Sequence, residues 1–549
     1  MLDKLKRIFN IPIKNYIVKE FKCFVFLIIY TVATLLLPTF VSKIIDKGIT
    51  QKNLRLATLY SIGMLATGVI VVIFQYLQQT SFYKLGQELT IVIKQRIYDN
   101  VLRTNMKYWE KNSIGDTLII LSEDVSILEN LLTTTVSNSI VNIIVITGIS
   151  IFIIVMDWKC GVLILTMAIV FAIIQKRIGG KIENIVVKMR KSIGEMANFT
   201  SETLQNANEL QASGYEKLMS HKYRCLNKEV MDSTMKQIKA VTGAQSVGTL
   251  FNVLGLLVVI VFGTYQTITN NMTVGTLFVL TVYVQRLYGP IVSLGNSYIE
   301  IKNSLPKINK VIDILETPDI IKTGNYIPET DIQGIIEFNN VCFSYNEKDI
   351  LKNFNLCVQP GEILGVVGKN GIGKSTLFKL ILNLCTPNNG EILLDDMEIV
   401  EYENEFIREK IGYVGQEGFV ISGRLIDILD PQKNSTETKI LELMRELQLD
   451  ITRFDQGLDT YIDENHRNLS GGEYQKIALI RSFIEDRDIY LLDEPTAAID
   501  EKSENEICKI IKEKLKGKTA IIITHRPKIL EICDRVIDFA GDQNIKGYI

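Results

Sequence analysis

From Ala240 to Gln285 the chain runs for 46 residues without a charged side chain. A straight helix of that length would measure roughly 69 Å at 1.5 Å per residue, more than twice the ~30 Å hydrocarbon thickness of a bilayer. The stretch must fold back, and the polar segment "TITNNMTVG", Thr267 to Gly275, is the place for the turn. Two membrane spans flank it.

Four uncharged runs precede this one. Lys22 and Lys43 frame "CFVFLIIYTVATLLLPTFVS", and further runs extend over Leu56 to Tyr83, Asn130 to Met156 and Cys160 to Gln175. Between the last two only "DWK" remains, so they form a hairpin. A soluble helical core has no need of several separate runs near or beyond spanning length. The expected total is six spans, with both chain ends on one side.

The segments Lys84 to Glu129 and Lys176 to Lys239 share that side. Lys94, Arg96, Arg103, Lys107 and Lys111 in the first, and Lys176, Arg177, Lys181, Lys188, Arg190 and Lys191 in the second, fit the positive-inside bias. The first outer loop, with Lys43, Lys47, Lys52 and Arg55, runs against it, so the orientation rests mainly on the second half of the chain. The helical pattern falters at "WEKNSIGDT" (Trp109 to Thr117) and "NELQASGYEKL" (Asn208 to Leu218), read as turns between long projecting helices. Plain solvated surface accounts for these two turns equally well. The amino terminus, with Lys4, Lys6, Arg7 and Lys14, reads as an amphipathic segment on the inner membrane face.

Charge is balanced at 60 Lys and Arg against 62 Asp and Glu, a formal −2, which gives no reason to expect a nucleic-acid partner. Eight cysteines without a CxxC pair, and three histidines, argue against a zinc site or a disulfide scaffold.

After the polar connector "ILETPDIIKTGNYIPETD" the pattern becomes short strands at Gly334. The expected division is a membrane domain over 1–316, a linker over 317–333 and a nucleotide-binding domain over 334–549. The apolar run "EILGVVG" leads into "GKNGIGKST", in which Gly368, Gly373, Lys374 and Ser375 satisfy G-x-x-x-x-G-K-S/T. Residues Gly368, Lys369, Asn370, Gly371, Ile372, Gly373, Lys374, Ser375 and Thr376 would wrap the phosphates of ATP with backbone N–H groups. Lys374 adds a charge near the β and γ phosphates, and Ser375 offers a hydroxyl to Mg²⁺. In "DIYLLDEPTAAID", a second apolar strand presents Asp493, placed to hold the magnesium shell, and Glu494, placed to orient the attacking water. The combination predicts an α/β P-loop ATPase.

Between these motifs stands "LSGGEYQKIALIRS", with Ser470 23 residues before Asp493. With it the chain resembles the exporter branch of the ATP-binding cassette transporters: a membrane all-α domain of six helices followed by one cassette. The resemblance implies that Ser470, Gly471, Gly472 and Glu473 meet an ATP held by a second copy. It also implies that Tyr345 stacks on adenine, that Gln416 joins the magnesium to the membrane interface, and that His525 contacts the γ phosphate. Asp500 would lie in the loop linking the two sites, and Glu464 in the cross-interface loop. Tyr345 also fits a strand aromatic of the core. Glu473 departs from the commoner glutamine, Gly415 from proline, Ile428 from asparagine, and "ENHRN" from a glycine-bearing version beside Glu464.

The resemblance further implies a dimer with two ATP sites in a bacterial cell membrane, here a homodimer because nothing marks a degenerate half, with a heterodimer with a different half-transporter as the alternative. Trp109 and Tyr215 would anchor the coupling turns. Uncharged polar residues in the spans, among them Gln75, Gln78, Gln79, Ser137, Asn138, Asn142, Gln245, Asn252, Tyr283 and Gln285, divide between lining a cavity and binding helix to helix. Arg286 snorkels to water or meets a carboxylate. A wide uncharged cavity suits a peptide or amphipathic small molecule. A lipid flippase and an ATP-gated channel share the same motifs. An importer would keep its spans on a separate chain, and a soluble cassette ATPase would lack them.

Overall fold

The computed structural model describes residues 14–105, 108–109, 112–269, 271–317, 321–329, 331–345, 348–369, 371–416, 422–463 and 469–539. Lys4, Lys6, Arg7, Lys107, Lys111, Asn370, Glu464 and the rest of "ENHRN" lie outside the described residues, as does the side chain of Lys14. The chain divides into two compact units, Met1–Leu102 with Ile114–Thr317, and Arg103–Ser113 with Pro318–Ile549.

Six helices of the first unit are long and apolar enough to cross a membrane. They are α1 (Lys14–Lys43), α2 (Leu54–Leu102), α3 (Ile114–Met156), α4 (Trp158–Gln205), α5 (Glu216–Ile268) and α6 (Val274–Leu315). At 49 residues α2 measures roughly 70 Å. Its uncharged part ends at Tyr83, and the remainder continues as charged helix. α3 is a composite, wound as π-helix over Ile120–Asp124 and Leu131–Thr135.

The turns fall where the breaks in charge and periodicity predict. Asp157, the first residue of "DWK", is extended and caps α4 by accepting a hydrogen bond from Cys160 N at 2.8 Å. Thr273 does the same for α6 through Thr276 N. Asp46, in the π-helical segment Ile44–Ile49 that follows α1, accepts from Thr273 Oγ1 at 2.7 Å and Gly275 N at 2.8 Å, pinning that segment to the start of α6. In the segment around Asn208, a short helix Ala207–Ala212 ends at Gly214 with φ +70°, leaving Tyr215 exposed before α5. Trp109 stands edge-on to Tyr108 at 5.2 Å.

Two of the uncharged polar side chains bind helix to helix. Asn142 of α3 donates to Ser293 Oγ of α6 at 2.9 Å. Pro38 lies inside α1 and has no N–H to give to the preceding turn. A carbonyl of that turn, Leu35 O, accepts from the buried Tyr283 hydroxyl of α6 at 2.7 Å. Leu65, Val72, Val155 and Val261 are exposed on the spans, as lipid-facing positions should be.

The described residues of the second unit form an antiparallel sheet, a parallel sheet and a two-stranded ribbon of β7 with β8. Strands β1 (Ile336–Tyr345), β2 (Lys348–Val358), β3 (Ile363–Val367), β4 (Asn389–Leu394), β5 (Met397–Glu398), β6 (Ile411–Val414), β7 (Gly423–Arg424), β8 (Tyr461–Ile462), β9 (Ile489–Asp493), β10 (Thr519–Ile523) and β11 (Arg535–Asp538) appear in chain order. An antiparallel sheet has the order β2-β1-β4-β5, and a parallel sheet the order β11-β3-β10-β9-β6. β9 and β10 are buried along their whole length, the pattern of a parallel sheet covered on both faces. Alternate residues serve different cores: Tyr490, Leu492, Ala520 and Ile522 belong to one, Ile489, Leu491, Ile521 and Ile523 to the other. The first core holds the helix α8 (Gly471–Phe483) and the second holds α7 (Lys374–Ile381) with the antiparallel sheet. The expected linker is partly ordered, because Tyr326 N donates to Glu401 O and Tyr326 O accepts from Glu403 N, both at 3.0 Å.

Candidate functional site

In an open parallel sheet, ligands bind outside the carboxyl ends of the strands. The loop after β3 turns there through Gly368, Gly371 and Gly373, with φ of 151°, 79° and 111°. The last two lie in the left-handed region, and at Gly373 a Cβ would also meet Ile350 Cγ2 at 2.2 Å. Gly373 therefore caps α7 without a side chain, leaving the first backbone N–H groups of the helix available to an anion. Lys369 and Ile372 complete the described loop, in which Ile372 N donates to Lys369 O, and Thr376 is buried in the first turn of α7.

Three elements bring the polar groups together. Lys374 is 8 % exposed, and its Nζ donates to Gly368 O and to Lys369 O. The same Nζ lies 3.1 Å from His525 Nε2, after β10. Ser375 Oγ donates to Asp493 Oδ2 at 2.6 Å, joining the start of α7 to the end of β9. Burial pushes the Asp493 carboxyl above its ordinary range, and the neighbouring Glu494 adds to that. The Ser375 hydrogen bond and the Lys374 charge oppose the shift. The pair presents oxygen donors only, the chemistry of a hard cation site.

Glu494 follows with φ +49°, its N–H donating to Ile523 O at 2.8 Å. Gln416 is exposed two residues beyond Val414, whose partner across the sheet is Leu492, and so lies at the same carboxyl edge as Asp493. Tyr345 ends β1. Its ring is edge-on to Phe343 at 4.8 Å, Lys379 Nζ of α7 lies 5.7 Å from its centre, and its buried hydroxyl has no partner among the described residues.

The signature residues open α8. Ser470 caps the helix and Glu473 closes a capping box, accepting from Ser470 N and Ser470 Oγ at 2.7 Å each. Glu473 also pairs with Arg453, which gives the departure from glutamine a physical basis. Gly471 and Gly472 lie against Ala498, where a Cβ on Gly472 would stand 3.0 Å from Ala498 O. Two other departures have local reasons. Tyr413 hydroxyl covers Gly415 at 2.9 Å from where a Cβ would be, and Ile428 packs into the core with Leu425 and Leu429. Asp500 caps the helix α9 (Glu501–Lys514) through Lys502 N and Ser503 N, and these backbone bonds, that from Ser503 first, hold its carboxyl below the usual range.

Three residues to which the motifs assign no role also bear on this site. Gln475, 7 % exposed, donates from Nε2 to Glu494 O at 3.1 Å and accepts from Ala498 N at 2.8 Å. Arg526 donates to Ala497 O at 2.7 Å and Ile499 O at 3.1 Å, and pairs with the buried Glu504 at 3.0 Å. Gln475 and Glu504 each stand three positions before buried residues of their helix, Ala478 and Ile507. A polar residue at a core position was the readable signal.

A cavity of about 620 Å³ opens in the first unit among α3, α4 and α6. Ile146, Ala168, Ile169 and Leu287 give it an apolar wall, with Gln175 and Tyr298 as polar points and Lys176 as the one charge. Tyr283 and Asn142, candidates for such a lining, are engaged between helices instead.

Residues 21–291 match the family described as ABC transporter transmembrane region, and residues 351–497 the family described as ABC transporter. An ATP-dependent lipid A-core flippase of Syntrophus aciditrophicus (strain SB) is 24% identical over 466 residues, covering 84% of this chain and 78% of that protein. A multidrug resistance-like ATP-binding protein MdlA of Buchnera aphidicola subsp. Baizongia pistaciae is 26% identical over 552 residues, with 98% and 93% covered. The solved structure of a bacterial Atm1-family ABC exporter with ATP bound has the same fold, at a TM-score of 0.82 and 21% identity over 96% of this chain and 94% of that one. Six spanning helices and a P-loop ATPase on one chain, each matching its family, place this protein among the ATP-binding cassette (ABC) transporters, as a half-transporter of the exporter type.

Proposed function

We propose that two copies of this chain form a homodimer that moves a peptide or amphipathic small molecule out of a bacterial cytoplasm, driven by ATP at two shared sites. The division into a membrane domain over 1–316, a linker over 317–333 and a nucleotide-binding domain over 334–549 belongs to the same reading. In it, each ATP lies between the loop Gly368–Thr376 of one copy and Ser470, Gly471, Gly472 and Glu473 of the other, with Tyr345 against the adenine. Lys374 and His525 hold the phosphates, and Glu494 orients the attacking water. Ser375, Gln416 and Asp493 would hold Mg²⁺, which supplies charge neutralisation on the β and γ phosphates. ATP joins the copies because its phosphates need donors from both, and hydrolysis dissolves that bridge. Trp109 and Tyr215 would carry the closure to the spans.

One observation supports the substrate class: the largely apolar cavity of about 620 Å³ with few polar points and a single charge. Such a lining rewards apolar surface and leaves a bare ion poorly solvated. The relatives described as lipid A-core flippases make a lipid the competing cargo.

ATPase activity in lipid nanodiscs against a panel of peptides, drugs and lipids, followed by uptake into inverted vesicles, tests the reading. Stimulation by a peptide or drug with ATP-dependent accumulation supports it. Stimulation by lipid alone replaces it with the flippase, and flux only down a gradient replaces it with a channel.

A further inference from the structure

Glu494 sits in a backbone conformation that few non-glycine residues adopt, with φ +49°. Such a conformation is strained and persists only where its surroundings enforce it. Here the enforcement can be traced atom by atom. The Glu494 N–H donates to Ile523 O at 2.8 Å, and its carbonyl accepts from Ala497 N at 3.1 Å and from Gln475 Nε2 at 3.1 Å. Gln475 Oε1 in turn accepts from Ala498 N at 2.8 Å, so one buried amide spans the turn from Glu494 to Ala498. Arg526 grips the other side of that turn through Ala497 O and Ile499 O, one residue after His525.

Gln475 lies on α8, five residues after Ser470. Five residues of helix rise about 7.5 Å and do not bend within so short a length. The amide thus ties the carboxylate of one ATP site, through rigid helix, to the serine that this chain offers to the other.

We propose that Gln475 is a positioning residue for Glu494: its amide fixes the turn that aims the carboxylate and locks that turn in register with the signature serine of the same chain. The proposal rests on the reading of Glu494 as the group that orients the attacking water. Gln475 touches no reacting atom, so it acts on the chemical step and not on the affinity for nucleotide.

Two substitutions of nearly unchanged volume separate this from packing. In Gln475→Glu the carboxylate still accepts from Ala498 N but has no hydrogen for Glu494 O and repels it; Gln475→Met makes neither bond. ATP hydrolysis by the full-length protein in nanodiscs is measured with nucleotide affinity and melting temperature. Both variants are expected to lose about tenfold or more in kcat, with KM for ATP and nucleotide affinity within about threefold of the parent. Turnover within twofold of the parent in Gln475→Met overturns the proposal. So does a loss of turnover matched by an equal loss of affinity, because that places the effect in binding or folding. A parent protein that binds ATP yet does not hydrolyse it removes the underlying reading of Glu494, and is recognised before any variant is compared.

Discussion

Ser375 and Asp493, separated by 118 positions in sequence, share a 2.6 Å hydrogen bond in which the hydroxyl donates to Oδ2. Burial raises the Asp493 carboxyl above its ordinary range, so the ionised form that a cation needs is disfavoured without one. The sign of the linkage follows. A carboxyl whose folded value exceeds its unfolded value costs stability above the folded value, and the cost fades as the pH falls towards the unfolded one.

Asp493→Asn should therefore hold or raise the melting temperature of the nucleotide-free protein near neutral pH, while lowering ATP turnover by about a hundredfold or more. Calorimetry over pH should find the difference from the parent shrinking as the solution is acidified. A melting temperature well below the parent's at neutral pH would contradict this account.

Glu494→Gln should bind ATP as the parent does and lose nearly all turnover. Equilibrium binding beside single-turnover hydrolysis checks it, and brisk hydrolysis by the variant would remove Glu494 from the chemistry. Lys374→Ala should instead weaken nucleotide binding directly, since its Nζ stands among the loop carbonyls and His525.

Glu473→Gln keeps an acceptor for Ser470 N but gives up the charge beside the α8 terminus and the pair with Arg453, which is about half exposed. A loss below about 1 kcal/mol is expected, shrinking with added salt. Glu473→Ala removes the capping box and should cost about 1 to 2 kcal/mol by denaturant titration.

Arg526→Ala leaves the buried Glu504 with Lys528 at 3.8 Å and Thr496 at 3.2 Å, and should destabilise the ATPase unit by about 2 kcal/mol. Combining it with Glu504→Gln should cost less than the sum of the single changes, because the second removes the charge that the first stranded. Strict additivity in thermal melts would show that the pair is not coupled.

Much of this molecule is legible in its sequence. The spans could be read because a bilayer demands uncharged length, and "DWK" and "TITNNMTVG" because an uncharged helical run cannot far exceed that length without folding back. The phosphate loop could be read because Gly373 needs both a left-handed φ and the absence of a Cβ. Gln475, Arg526 and Glu504 stayed hidden. Gln475 and Arg526 meet backbone groups at Glu494, Ala497, Ala498 and Ile499, which look the same in every residue of a sequence, and Glu504 pairs with the Arg526 side chain of a different segment. The cavity stayed hidden for a related reason: Gln175 lines it while also donating to Ala244 O of α5 at 2.9 Å, so residue type alone did not sort wall from seam.

The central parallel strands, whose odd and even residues answer to separate interiors, behave as a party wall between two tenants. Renovation on one side, the layer carrying the serine loop, need not disturb the layer that carries the phosphate loop. A lineage can thus alter the layer that opens with Ser470 without rebuilding the loop Gly368–Thr376, provided the few polar struts around the wall's end are left standing.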